Sequence, residues 1–175
     1  MVLEWEKVVD FGVPDHFQGD EERKVRVMSL GLKGEYSHSI DSKGRMIVPS
    51  KLREQLGVSF VIARGMDQCL CAYPREEWEI YAKKLEELPT TSKNARRFVR
   101  AISSSAYDCE VDNQGRINIP QKLRDFAQIT KDVVVVGVGD KAEIWSKELY
   151  EAECCLDDVD LDELASGFAD LGFNI

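Results

Sequence analysis

The chain has 175 residues, 43% of them hydrophobic, and its 23 lysines and arginines face 32 aspartates and glutamates for a net charge of −9. That length holds one ordinary domain or two very small ones, and the apolar share excludes global disorder. No charged leader precedes an apolar run, and the most apolar stretch, VVVVGVG from Val133, is strand-sized, so neither a secretion signal nor a membrane span is expected.

Residues 1–33, with GVPDHFQGDEERK in the middle, are polar and lack a clear period, and are expected to form an N-terminal extension. From Gly34 the pattern sharpens. GEYSHSI reads as a strand, DSKG as a tight turn and RMIV as a second strand. Pro49 suits the first turn of a short helix over PSKLREQLG, and Gly57 suits its stop. SFVIARG is another strand, followed by QCLCAYP. In REEWEIYAKKLEEL, Trp78, Tyr81, Ala82, Leu85 and Leu88 fall at helical spacing and predict a packing face. SKNARRFVRAI places Ala95, Phe98 and Ile102 on one side of a helix and Arg96, Arg97 and Arg100 toward others. Those three arginines read as a solvated face, with phosphate contact as their secondary role. The second part then repeats the course of the first: AYDCEV, DNQG, RINI, PQKLRDFAQI, DVVVVGVG and KAEIWS. GVGDK at Gly137 is expected to be a loop between strands. The last segment, from Leu156, is acidic and only weakly amphipathic, and is expected to be a mobile or peripherally packed tail.

The repetition is specific. SIDSKGRMIVPSKLRE begins at Ser39 and EVDNQGRINIPQKLRD at Glu110, 71 residues later. The shared letters are Asp41/Asp112, Gly44/Gly115, Arg45/Arg116, Pro49/Pro120, Lys51/Lys122, Leu52/Leu123 and Arg53/Arg124. Each unit, strand–turn–strand–short helix–strand–strand, is too small to bury its own sheet, so the two halves are expected to complete one another. In Asp-x-x-Gly-Arg, the carboxylate can accept backbone N–H bonds at the start of a tight turn. The glycine supplies the positive φ that closes the hairpin. The arginine then starts the return strand beside the aspartate. A guanidinium held in direction by a carboxylate presents a fork of donors suited to phosphate or a guanine edge. One copy alone would read as an ordinary hairpin salt bridge; two copies suggest a partner with repeated features, such as duplex DNA.

Charge placement leaves room for that partner. Residues 1–33 carry −2, residues 34–153 carry −1 and residues 154–175 carry −6. The repeat-bearing body is nearly neutral, which permits a basic face if the arginines cluster on one side.

GEYSHSIDSKGRMIVPSKLRE, RGMDQCLCAYPREEW, ARRFVRAISSSA and DNQGRINIP together resemble the MraZ family of bacterial transcriptional regulators, which are built from two tandem SpoVT-AbrB-type domains. The resemblance runs from Gly34 to Glu153 and includes the D-x-x-x-R signature twice. It implies an α+β, mainly β fold in which two tandem AbrB-like units form a swapped-hairpin, double-split β-barrel with short helices. It further implies that protomers assemble into a ring-shaped homo-oligomer. On this reading 34–88 is the first SpoVT-AbrB-like repeat, 89–104 a linker helix, 105–153 the second repeat and 154–175 an acidic C-terminal tail. The implied partner is double-stranded DNA, as G-rich direct repeats upstream of the protein's own division and cell-wall gene cluster. The implied DNA-binding residues are Asp41, Lys43, Arg45, Asp112 and Arg116, with Gln114 replacing the basic residue of the first turn. The implied setting is cytoplasmic and nucleoid-associated, with no cofactor and no metal. Family members begin shortly before the GEY equivalent, so Met28 is an expected start and residues 1–27 an expected translated leader.

Other classes fare worse. His16 and His38 are the only histidines, and neither lies in a nucleophile motif. Ser103–Ser105 lacks the glycine context of a nucleophile elbow and reads as a helix-ending polar run. No phosphate-binding glycine loop is present. The five cysteines, Cys69, Cys71, Cys109, Cys154 and Cys155, form no CxxC pairs; Cys69 and Cys71 alternate along a strand and read as core or oxidisable thiols. An AbrB- or MazE-like antitoxin using the acidic tail is the alternative, against which the duplication within one chain argues. A purely structural oligomer would leave the doubled arginines unexplained.

Overall fold

The computed structural model describes residues 31–154 and 165–166. Within the first of these spans the first unit runs β1 (Leu32–Ser39), β2 (Arg45–Ile47), α1 (Ser50–Leu56), β3 (Ser59–Arg64) and β4 (Leu70–Pro74). Two helices follow, α2 (Arg75–Glu86) and α3 (Lys93–Ser103). The second unit is β5 (Tyr107–Glu110), β6 (Arg116–Asn118), α4 (Gln121–Phe126), β7 (Asp132–Gly139) and β8 (Ala142–Ser146), closed by α5 (Lys147–Glu153). The expected leader, the Met28 start and the acidic tail beyond Cys154 lie outside the described residues, apart from the helical pair Ala165–Ser166.

The short helices start where proline presets the backbone: Pro49 at φ −51° precedes α1, and Pro120 at φ −55° precedes α4. Gly57, at φ 83° and ψ −174°, ends α1 in a conformation that is essentially glycine's alone. Gln128, at φ 52°, takes the corresponding corner after α4. Longer α3 is capped by Ser92, whose hydroxyl accepts the Ala95 N–H at 3.3 Å, and α5 by Ser146, which accepts from Leu149 at 3.3 Å.

Six strands form one antiparallel sheet in the order β1-β7-β8-β4-β3-β5, and β2 and β6 form a separate two-stranded ribbon. The halves are interleaved. Three of the five pairings in the large sheet, β1–β7, β4–β8 and β3–β5, join a strand of one unit to a strand of the other. Only β3–β4 and β7–β8 are internal to a unit. The strand exchange implied by the family resemblance is therefore present. The closed barrel is not: β1 and β5 are the two edges of the sheet and do not pair with each other. The chain leaves each edge through a tight turn into the ribbon, so the two hairpins meet across β2 and β6 instead of closing the sheet.

The main core lies beneath the ribbon and one face of the sheet. Met46 and Ile117, the inward residues at the centre of the ribbon, are buried with Leu52 of α1, Leu123 of α4, Phe60, Ile62, Leu70, Val133 and Ile144. The opposite face carries a smaller apolar layer of Cys69, Cys71, Tyr73 and Trp145, covered by α2 and α5. With both faces covered, β7 needs apolar residues on both, and Val133, Val134 and Val135 are all buried. Gly137 and Gly139 belong to β7 and not to a loop; the turn is at Asp140–Lys141. Gly137 faces Gly34 across the β1–β7 pair, and a Cβ there would run into the Lys33 backbone. That close approach of two strands is why a glycine-rich stretch reads as loop in sequence and is strand in fact.

Candidate nucleic-acid interface

The ribbon is built from the two Asp-x-x-Gly-Arg turns. In the first, Asp41 Oδ1 accepts the backbone N–H of Lys43 and of Arg45, each at 2.9 Å. Its Oδ2 accepts Arg45 Nε and Nη2, each at 2.7 Å. In the second, Asp112 Oδ1 accepts from Gln114 at 2.8 Å and from the Arg116 backbone at 2.9 Å. Its Oδ2 accepts Arg116 Nε at 2.9 Å and Nη2 at 2.7 Å. Gly44 and Gly115 sit at φ 80° and 76°, and their N–H groups donate to the aspartate carbonyls at 2.9 and 2.8 Å. One carboxylate thus organises the turn with one oxygen and aims the arginine with the other.

That pairing leaves an open end on each guanidinium. Of its five N–H donors, two are taken by aspartate, and the remaining three include the outer Nη1–Nη2 edge. Both arginines are partly exposed. The hydrogen bonds from Arg45, side chain first and then backbone, with a smaller part from its charge, hold the Asp41 carboxyl down at about 2, and those of Arg116 likewise lower Asp112. Both aspartates therefore stay ionised, and each arginine keeps its direction, throughout the neutral range.

Register puts the two forks on one surface. Arg45 pairs with Asn118 and Ile47 with Arg116, on either side of the buried Met46–Ile117 pair. Side chains two apart share a face, so Arg45, Ile47, Arg116 and Asn118 all lie on the outer face of the ribbon. Arg45 and Arg116 are diagonal neighbours there, with Cα atoms roughly 7–8 Å apart. Ile47 is half exposed between them. With its amide assigned in the orientation that satisfies both its oxygen and its nitrogen, Asn118 donates to the carbonyls of Gly44 and Lys43 at 3.2 Å each and so belongs to the first turn. Lys43 and Gln114 are exposed at the two tips.

The repeated Lys-Leu-Arg of each short helix has a role that sequence reasoning missed. Arg124 of α4 lies over Gly44 of the other unit's turn, with its guanidinium carbon 3.0 Å from where a Cβ would stand, and its Nε donates to the Ile119 carbonyl at 3.1 Å. Arg53 of α1 lies in the same way over Gly115, where a Cβ would overlap it. The backbone repeats the exchange: Val48 donates to the Gly115 carbonyl at 2.9 Å and Ile119 to the Gly44 carbonyl at 2.8 Å. Each half braces the turn of the other. The one available signal was that Arg53 and Arg124 recur in step with the glycines.

The secondary candidates stand apart from the ribbon, on α3. Arg96 Nη1 donates to the Thr90 and Thr91 carbonyls at 2.6 and 3.0 Å, which fixes the loop before the helix. Arg97 and Arg100 are exposed on the side away from buried Ile102. His38 lies on β1, and partial burial lowers its pKa.

Comparison with known proteins agrees with this architecture. The family profile described as "MraZ protein, putative antitoxin-like" matches twice, over residues 32–101 and 102–154. A protein of Ligilactobacillus salivarius (strain UCC118) named transcriptional regulator MraZ is 53% identical over 137 residues, covering 78% of this chain and 96% of that one. A protein of the same name from Thermoanaerobacter sp. (strain X514) is 49% identical over 140 residues, covering 80% and 98%. A solution structure of a Pyrococcus horikoshii protein is 16% identical and superimposes with a TM-score of 0.30 over 62% of this chain and 91% of that one, too weak a likeness to bear on the site. With two tandem matches that together span both units, and relatives half identical along nearly their whole length, the chain belongs to the MraZ family.

Proposed function

We propose that this chain is a DNA-binding transcriptional regulator and that the outer face of the β2–β6 ribbon is its DNA-reading surface. The observation that carries the reading is the pair of arginine forks, each aimed by its own aspartate, on one face of a two-stranded ribbon. A B-DNA major groove admits a two-stranded ribbon, and an arginine fork matches the O6 and N7 acceptors of guanine. A G-rich target fits that chemistry. Each such contact is worth about 1–3 kcal/mol of discrimination. Asp41 and Asp112 act as positioning residues for Arg45 and Arg116, and Lys43 adds a phosphate contact at one tip.

Two arginines per chain are too few to hold an acidic protein on DNA at physiological salt. Several copies, arranged as a ring of identical chains and meeting successive direct repeats, would add their weak contacts into specific binding. The operator that the family resemblance implies is a set of G-rich direct repeats upstream of the protein's own division and cell-wall gene cluster, and occupancy there would alter transcription. The relatives' name supports the regulator reading, and their family description, antitoxin-like, keeps a protein partner as the competing one.

The test is fluorescence anisotropy against the gene's own upstream duplex and a shuffled duplex, with wild type and Arg45→Ala/Arg116→Ala shown to assemble alike. Tighter binding to the upstream DNA, lost in the variant, is expected. Equal and weak binding of both duplexes by wild type would overturn the reading and direct attention to a protein partner.

A further inference from the structure

The smaller apolar layer on the far face of the sheet contains a group of side chains that DNA binding does not use. Cys69 Sγ, Cys71 Sγ and a carboxylate oxygen of Glu143 lie within 4.8 Å of one another. Strand geometry puts them together. Cys69 and Cys71 are two apart along an extended segment and so share a face, and Cys71 stands directly opposite Glu143 in the β4–β8 pair. Tyr73 is buried in the same layer as the two thiols. Trp78 and Tyr81 of α2, and Leu149, Tyr150 and Cys154 at α5, close over the layer.

Two features go beyond what packing alone requires. Gly65 has no positive φ, so its backbone does not call for glycine. A Cβ there would lie 2.5 Å from Cys69 Sγ and 3.0 Å from Cys71 Sγ, so the missing side chain is what leaves both sulfurs room. The second feature is Glu143 itself, a carboxylate at the edge of a layer of thiols and aromatic rings. Trp145 Nε1 donates to its Oε2 at 3.1 Å, which fixes the group, while among the described residues Oε1 has the Lys141 ammonium 4.0 Å away as its ion-pair partner. That lysine is partly exposed and can turn out to solvent.

We propose that Cys69, Cys71 and Glu143 form a site for a thiophilic divalent cation of the zinc class, with a fourth position open. Zinc bound to thiolate at about 2.3 Å and to carboxylate at about 2.0–2.2 Å holds neighbouring ligand atoms roughly 3.5–3.8 Å apart, within reach of the observed grouping. Two soft sulfurs exclude magnesium and calcium, and the Trp145 hydrogen bond supplies the outer support that orients a metal-binding carboxylate. The ion would tie β4 of one half to β8 of the other. This site is independent of the DNA-reading surface.

The test uses the full chain, metal-stripped and held reduced by a phosphine, titrated with Co²⁺ and then Zn²⁺. A near-ultraviolet sulfur-to-cobalt band saturating at one ion per chain and displaced by Zn²⁺ is expected, together with a higher thermal midpoint in Zn²⁺. Cys69→Ser and Cys71→Ser should abolish the band, whereas the Cys109→Ser/Cys155→Ser double variant should retain it. Glu143→Gln, at a partly exposed position, should keep the fold and weaken cobalt binding by about tenfold or more. No band in wild type, or a band that survives loss of Cys69 or Cys71, overturns the proposal. Should the cysteine variants fail to fold, unchanged cobalt affinity in Glu143→Gln does the same.

Discussion

At the scale of single residues, Asp41 and Asp112 do two jobs with two oxygens, ordering a turn and aiming an arginine. The pairing leaves a signature in acid. The folded-state value of Asp41, about 2, lies below its ordinary 3.8, so its contribution is complete above pH of about 4 and is lost as pH falls through 2. Urea midpoints of wild type and Asp41→Asn should therefore converge between pH 4 and pH 2. A gap that stays constant across that window would mean the carboxylate is not stabilised by Arg45. Gly115 offers a second test. Alanine at φ 76° costs about 1–2 kcal/mol from the backbone alone, and here its Cβ must also displace the Arg53 guanidinium. Gly115→Ala should lower stability by at least that amount in denaturant titration, and should weaken DNA binding more than its stability loss explains, because the turn aims Arg116.

At the scale of elements, the short helices act as braces across the two halves. Arg124→Ala should leave α4 formed yet cost about 1–2 kcal/mol, since the Ile119 carbonyl loses a charge-assisted partner and the first turn loses its cover. Hydrogen exchange should report faster opening at Gly44 and Arg45 than in the main sheet; uniform loss of protection would remove the bracing role. Much at this scale could be read from sequence. The turns followed from Asp-x-x-Gly-Arg, α1 and α4 from proline at their starts, and the packing face of α2 from its helical period. What sequence did not reveal was partnership across distance. Arg53 and Arg124 cross to the opposite turn, Arg96 is occupied by loop carbonyls, and Ser105, part of a polar run in the sequence, is buried and accepts the Arg64 N–H at 3.1 Å. Cys69 and Cys71 could be seen to share a face, but nothing local announced Glu143, more than 70 residues away, as their neighbour. Periodicity reports which way a side chain points and is silent about what stands opposite.

At the scale of the whole molecule, neither half owns a complete sheet. Residues 31–90 alone would keep β3–β4 but lose the partners of β1, of β4 and of the outer side of β3. Two-stranded hairpins are marginal in water. Each half expressed separately should lack a cooperative melt by circular dichroism, and mixing the halves should restore one. A cooperative transition in an isolated half would contradict the interleaved core. The same interleaving frees the two turns from identity. A symmetric pair of separate chains carries every substitution twice and must look the same from either end. Here the arms differ, with Lys43 and Ile47 on one and Gln114 and Asn118 on the other. Joining them in one polypeptide gives the surface a head and a tail. On the DNA-reading role proposed above, such a surface would tell which way along a duplex it points, and a row of copies facing the same way would call for sites written in tandem, never for a palindrome.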